Sequence, residues 1–128
     1  MKLFNRKTGE VGESLALEYL LKKGFELVSR NYSTRFGEID LIMRDKGVLV
    51  FVEVKTKKGL DFGTPEEMFT RGKYEQVKRM ATMYLASQGT SLQNLENTAG
   101  CRIDMVAVVL DAQNEPVSVK HYANVTRP

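Results

Sequence analysis

The sequence predicts an α/β domain, a mixed β-sheet flanked by helices with elements in the order αβββαββ. Three observations predict it. Residues 48–56, Val-Leu-Val-Phe-Val-Glu-Val-Lys-Thr, form a near-continuous run of β-branched and aromatic residues, as in a strand covered on both faces. Val77, Met80, Ala81, Tyr84 and Leu85 recur at the i, i+3, i+4, i+7, i+8 spacing of a core-facing helix. The 128 residues hold no internal repeat and no dividing linker, so residues 1–128 are expected to form one domain. That length buries about two-thirds of the unfolded surface, enough for a core without disulfides.

The elements follow in order. Residues 8–23 carry apolar positions at Val11, Leu15, Ala16, Leu17, Tyr19, Leu20 and Leu21, and end in Lys22-Lys23-Gly24, a helix stop. Residues 25–32, opening Phe-Glu-Leu-Val, suit a first strand, and residues 37–44 a second. Asp45-Lys46-Gly47 is a turn signal before the strand at 48–56. A loop through Gly59 and Gly63 leads to Thr64-Pro65-Glu66-Glu67, a predicted helix start with Thr64 as cap, and the helical pattern resumes after Gly72. Residues 87–100 are polar and glycine-bounded and read as a mobile loop. Strands at 102–110 and roughly 116–124 close the chain.

Composition excludes several classes. One cysteine, Cys101, allows no internal disulfide, and with one histidine, His121, it makes no zinc site of the usual type. The stretch Met1 to Lys7 is positive without an apolar segment behind it, so no signal peptide is expected. No window reaches the ~20 apolar residues of a membrane span, so no membrane partner is expected and the cytoplasm is the default. The net charge of +3 fits a nucleic-acid partner without requiring one.

Charges fall where the pattern calls for apolar residues. Glu53 and Lys55 interrupt the run at 48–56 and share a face with Leu49 and Phe51. An exposed ion pair at a strand end is one reading, and a Glu-x-Lys active-site pair is the other. Asp40 lies inside Ile39-Asp40-Leu41-Ile42, with Glu38 on its face. In a hairpin turning at Lys46-Gly47, facing residue numbers sum to 93, which sets Asp40 opposite Glu53 and Glu38 opposite Lys55. Opposed carboxylates repel unless they share a cation or a proton, and Mg²⁺ accepts such a pair. A three-residue Asp45-Lys46-Gly47 loop would slip the register and put the two carboxylates on opposite faces. Glu13 projects among Ala16, Leu17 and Leu20, either as a boundary residue reaching water or as a fourth member of the site.

Together these residues resemble a known family. Gly12-Glu13, Ala16, Tyr19-Leu20, Gly24, Asn31, Gly37-Glu38-Ile39-Asp40-Leu41-Ile42 and Val50-Phe51-Val52-Glu53-Val54-Lys55 are similar to the bacterial YraN-like proteins. The similarity continues through Gly63-Thr64-Pro65, Lys73, Ala81, Tyr84-Leu85 and Cys101-Arg102-Ile103-Asp104. That family is similar in turn to the PD-(D/E)XK nucleases, which include Holliday-junction resolvases and restriction enzymes. The resemblance implies a restriction-endonuclease-like fold. It implies Asp40 and Glu53 as metal ligands, Lys55 as catalytic lysine, Glu13 as the helix-borne glutamate, and Lys73 and Arg102 as supporting basic residues. Ile39 stands where the nuclease pattern has proline, and Ile103 where the family has an aromatic.

The function expected on these grounds is metal-dependent hydrolysis of nucleic-acid phosphodiesters, DNA first, with Mg²⁺ or Mn²⁺ held by Asp40, Glu53 and the backbone carbonyl of Val54. Arg71, Lys73, Lys78 and Arg79 either follow the nucleic-acid backbone or form an ordinary solvated helix face. Two alternatives stay open. One is a non-catalytic nucleic-acid-binding or protein-interaction module, and the other an enzyme acting on a different phosphate ester. A homodimer is also left open.

Overall fold

The computed structural model describes residues 6–59, 63–90 and 100–125. Helix α1 (Arg6–Lys22) precedes three antiparallel strands, β1 (Glu26–Thr34), β2 (Gly37–Asp45) and β3 (Val48–Lys58). A short 3₁₀ turn (Pro65–Met68) and helix α2 (Arg71–Ser87) lead to β4 (Cys101–Leu110) and β5 (Pro116–Tyr122). One sheet contains all five strands in the order β1-β2-β3-β4-β5. β3 and β4 are parallel and the other pairs antiparallel, so the sheet is mixed, in the αβββαββ order that the pattern predicts.

Local chemistry explains the boundaries. α1 ends where Gly24 adopts φ 97°, and the N–H groups of Gly24 and Phe25 donate to the carbonyls of Leu21 and Leu20. That is the Schellman arrangement, which needs a residue tolerant of the left-handed region. The β2–β3 connection is a two-residue turn. Asp45 pairs with Val48, and Lys46 and Gly47 take φ 52° and 85°, as a type I′ hairpin requires. The three-residue alternative is therefore not adopted, and the pairs from Asp45↔Val48 to Leu41↔Val52 all sum to 93.

Thr64 does not cap a long helix. Its side chain makes no capping bond, and the turn after it stops at Met68. The cap of α2 is Thr70, whose hydroxyl accepts from the Lys73 N–H at 3.2 Å. Both threonines precede helix-compatible residues, but only Thr70 is followed by the apolar repeat that gives a helix a face to bury. Of the loop expected at 87–100, residues 91–99 lie outside the described residues.

β3 is central and buried on both faces. On one face Ala16 and Leu20 of α1 pack against Leu41, Met43, Val50, Val52, Val106 and Val108. On the other, Val77, Met80, Ala81 and Leu85 of α2 pack against Ile39, Ile42, Leu49 and Phe51. Each fully buried aliphatic or aromatic side chain contributes about 1.5–3 kcal/mol. The far end of the sheet is tied by a polar cluster around the fully buried Asp104. Its carboxylate accepts from Arg102 Nε at 2.9 Å, His121 Nε2 at 2.7 Å and the Asn124 N–H at 2.8 Å. Arg102 also reaches Asp45 beside the hairpin turn at 3.1 Å. Burial alone would raise the Asp104 pKa, but these donors together hold it below the ordinary carboxylate range. Among the described residues no helix is long and apolar enough to cross a membrane.

Gly12 sets how closely α1 approaches the sheet. A Cβ there would overlap Thr56 Oγ1 and stand 2.8 Å and 2.9 Å from Thr56 Cγ2 and Cβ. Because Thr56 Cβ is itself in conflict, no rotamer of Thr56 relieves the clash, and α1 must move. Gly12→Ala is therefore expected to destabilise the protein by about 1–3 kcal/mol despite alanine's better helix propensity. Adding Thr56→Ala should recover part of that loss. Denaturant unfolding of the single and double variants checks this, and an unchanged Gly12→Ala midpoint would contradict the close approach.

Candidate functional site

The β2–β3 ladder ends at Leu41↔Val52. One step further the same register would set Asp40 against Glu53. No rung is made there; instead Asp40 Oδ2 accepts the Val54 N–H at 2.8 Å. A side chain thus takes the place of a backbone carbonyl, and beyond it the two strands part. The neighbouring pair helps to explain the change. Asn31 on β1, opposite Asp40, adopts φ 56°, a left-handed conformation that asparagine tolerates better than most residues. Ile39 and Leu41, which strict alternation would place on one face, pack into the α2-side and α1-side clusters respectively. β2 therefore turns at Asp40.

The parting opens a cleft of about 500 Å³, lined by Glu13 of α1, Asn31 and Glu38 of the first hairpin, Asp40, Glu53, Val54 and Lys55 of the parted strands, and Lys73 of α2. Asp40 and Glu53 are buried, with 7% and 3% of their surface exposed. The two lysines converge on one oxygen. Lys55 Nζ and Lys73 Nζ each lie 3.2 Å from Glu53 Oε2. The two carboxylates therefore differ in surroundings: Glu53 holds two ammonium groups, whereas Asp40 holds a backbone N–H.

Electrostatics follow from that difference. Burial raises the Asp40 pKa, and the nearby Glu53 charge raises it further. Against the opposing Val54 hydrogen bond, the pKa is pushed up to about 8. Burial and the Glu38 charge also hold Glu13 above the ordinary carboxylate range, with Arg30 pulling the other way.

The donor set fits a hard divalent ion. Among the described residues no three acidic, histidine or cysteine side chains converge as a ready-made cage. Two carboxylates with remaining positions for water and phosphate oxygen suit Mg²⁺ or Mn²⁺, which seldom use an all-protein shell. Asp40 would have to lose its proton to act as a ligand, so any divalent ion held here would bind more tightly as pH rises toward 8.

Of the expected site residues, the structure brings together Glu13, Asp40, Glu53, Val54, Lys55 and Lys73 at the cleft. Arg71, Lys78 and Arg79 are exposed on α2 and do not line it. Arg102 is engaged with Asp104 and Asp45 and is likewise absent from the lining. Reading the pattern assigned no role to Asn31, Glu10 or Thr56, which also line the cleft. The usable signal was an asparagine inside a strand, where it is disfavoured unless a bulge or left-handed turn needs it.

The model of the uncharacterised protein family UPF0102 matches residues 12–108. The UPF0102 protein of Symbiobacterium thermophilum is 45% identical over 104 residues, covering 81% of this chain and 83% of that protein. The UPF0102 protein of Nocardia farcinica is 42% identical over 109 residues, covering 85% and 81%. That of Dictyoglomus turgidum is 33% identical over 120 residues, covering 94% and 97%. Among solved structures, Pyrococcus furiosus SfsA in complex with Ca²⁺ matches with a TM-score of 0.37 and 14% identity. This chain is covered to 96% but spans only 64% of that one, and likeness at this level carries no argument about function.

A pH dependence follows from Asp40. Its folded pKa of about 8 lies above the ordinary 3.8, so folding favours the protonated form. The stability this contributes is fully present below about pH 4 and is lost as pH rises through about 8. In EDTA, Asp40→Asn should therefore gain on wild type across that window, melting a few degrees higher by pH 8. Thermal melts at several pH values measure the difference. A gap that does not widen with pH would show that Asp40 is not held protonated.

Proposed function

The chain belongs to the uncharacterised protein family UPF0102, and from that premise we propose that it is a metal-dependent nuclease hydrolysing phosphodiester bonds of DNA, structured or branched forms included. One observation carries this reading: two buried carboxylates at the parting of β2 and β3, with Lys55 on the same wall of an open cleft. Burying both costs several kcal/mol, and a pure binding module would gain stability by replacing them. Their combination with lysines and a solvent-reaching cleft is what catalysis on a phosphate ester needs.

Asp40, Glu53 and the Val54 carbonyl would hold the ion. When bound, Mg²⁺ or Mn²⁺ activates water and offsets charge on the phosphoryl oxygens. Lys55, two residues along β3 from Glu53, would orient the attacking water and neutralise charge that grows on the phosphate in the transition state. Glu13 closes the α1 side of the cleft and, with its raised pKa, can hold a proton near the reacting oxygens. Arg71, Lys78 and Arg79 offer the exposed face of α2 to the nucleic-acid backbone, where contacts bind without reading sequence.

Purified protein incubated with single-stranded, duplex and branched DNA, with and without Mn²⁺, should yield cleavage products on a gel only with the metal. Lys55→Ala should slow cleavage by about 100-fold or more while DNA affinity falls less than about threefold, because binding is spread over many phosphate contacts. Asp40→Asn should remove the Mn²⁺ response. A wild type that binds DNA or RNA but cuts no form offered would replace the enzyme with a binding module.

A further inference from the structure

The convergence of two lysines on one Glu53 oxygen exceeds what a single catalytic lysine requires. Lys73 comes from the first turn of α2, beside the Thr70 cap that holds its backbone N–H, while Lys55 comes from β3. Their side chains are 28% and 16% exposed, against 3% for Glu53, so both ammonium groups reach inward to a buried acceptor. An ammonium donates hydrogen bonds and cannot itself ligate a metal, so it can only compete for Glu53 Oε2. A divalent ion at that oxygen would repel both ammonium groups and so favour the departure of one. A displaced ammonium at the edge of the cleft needs a new anion, and a phosphodiester is the anion that the proposed reaction brings.

We propose that Lys73 is a positioning residue that exchanges partners: it neutralises Glu53 while the metal is absent and passes to the substrate phosphate as the metal takes Glu53. The proposal rests on the metal-dependent reading above and adds a coupling to it. The metal and the phosphodiester load cooperatively, since each favours the arrangement that the other needs. Lys73 suits this part better than Lys55 because it is the more exposed and stands on a separate element across the cleft, free of the strand that carries Glu53. Without this exchange, Lys73 would be one more backbone-contacting cation of α2.

The test is Mn²⁺ affinity by titration calorimetry, without nucleic acid and with a phosphorothioate-linked oligo-dT that resists hydrolysis. Wild type should bind Mn²⁺ about fivefold or more tightly when the oligomer is present. Lys73→Met should bind Mn²⁺ more tightly than wild type in the absence of the oligomer and lose the gain in its presence. Lys73→Arg should restore both properties in part, which a merely structural role of the side chain would not produce. Unchanged or weaker Mn²⁺ binding by Lys73→Met, or wild-type affinity indifferent to the oligomer, would overturn the exchange while leaving the metal site intact. Wild type that binds Mn²⁺ no better than Asp40→Asn would overturn both the exchange and the metal-dependent reading on which it rests.

Discussion

The fold turns on one missing rung. β2 and β3 pair regularly from the turn to Leu41↔Val52, and there Asp40 intercepts the Val54 N–H that a sheet would give to a carbonyl. The substitution leaves no buried donor unpaired while it lets the strands separate. Everything at the cleft depends on this exchange of a carbonyl for a carboxylate. It admits Glu13 from the α1 face and Lys73 from the α2 face to the same space, although a closed sheet would keep them apart. An amide at residue 40 could still accept the Val54 N–H, so the ionisable group at that position is an addition to the architecture.

The two carboxylates have been given different tasks by their surroundings. Glu53 is balanced by two ammonium groups on one oxygen, and Asp40 is left with a backbone dipole and unfavourable neighbours. Two like charges in one small volume are tolerated because one is neutralised by lysines and the other keeps its proton. The close contact of α1 at Gly12 with Thr56 brings the next residue, Glu13, to the rim of this pair.

Much of this was legible in the chain. The sum-of-93 register follows from the position of Lys46-Gly47 and the period of two, which is why Asp40 and Glu53 could be paired on paper. Burial of β3 on both faces follows from its near-continuous apolar run. What could not be read is what depends on tertiary approach. The capping signal itself favours Thr64, with Pro65 and Glu67 after it, whereas the choice of Thr70 is made by which segment has a core to face. Charge alone does not separate Lys73 from Arg71 and Lys78; the resemblance does, and the packing of α2 brings it to Glu53. The resemblance implies Arg102 as a supporting basic residue, whereas Asp45 and Asp104 engage it from a hairpin and its own strand, away from the cleft. Asn31 is visible as an oddity in a strand, but its left-handed backbone is a property of the kink it permits.

The parallel pairing of β3 with β4 has a consequence for how the molecule comes into being. Every described lining residue of the cleft lies in the first 73 positions, yet one whole edge of β3 is closed only by β4, which begins at Cys101. As the chain leaves the ribosome, the central strand therefore waits with an open edge while α2 and the connection after it are made, and non-local parallel pairing is slow to form. Glu53 stands in the middle of that waiting strand and Lys55 follows it, two charges set into a segment that would otherwise invite association with other chains. The residues that make the finished cleft polar thus also break the apolar run while its edge is open, the position that gatekeeper charges take in aggregation-prone strands.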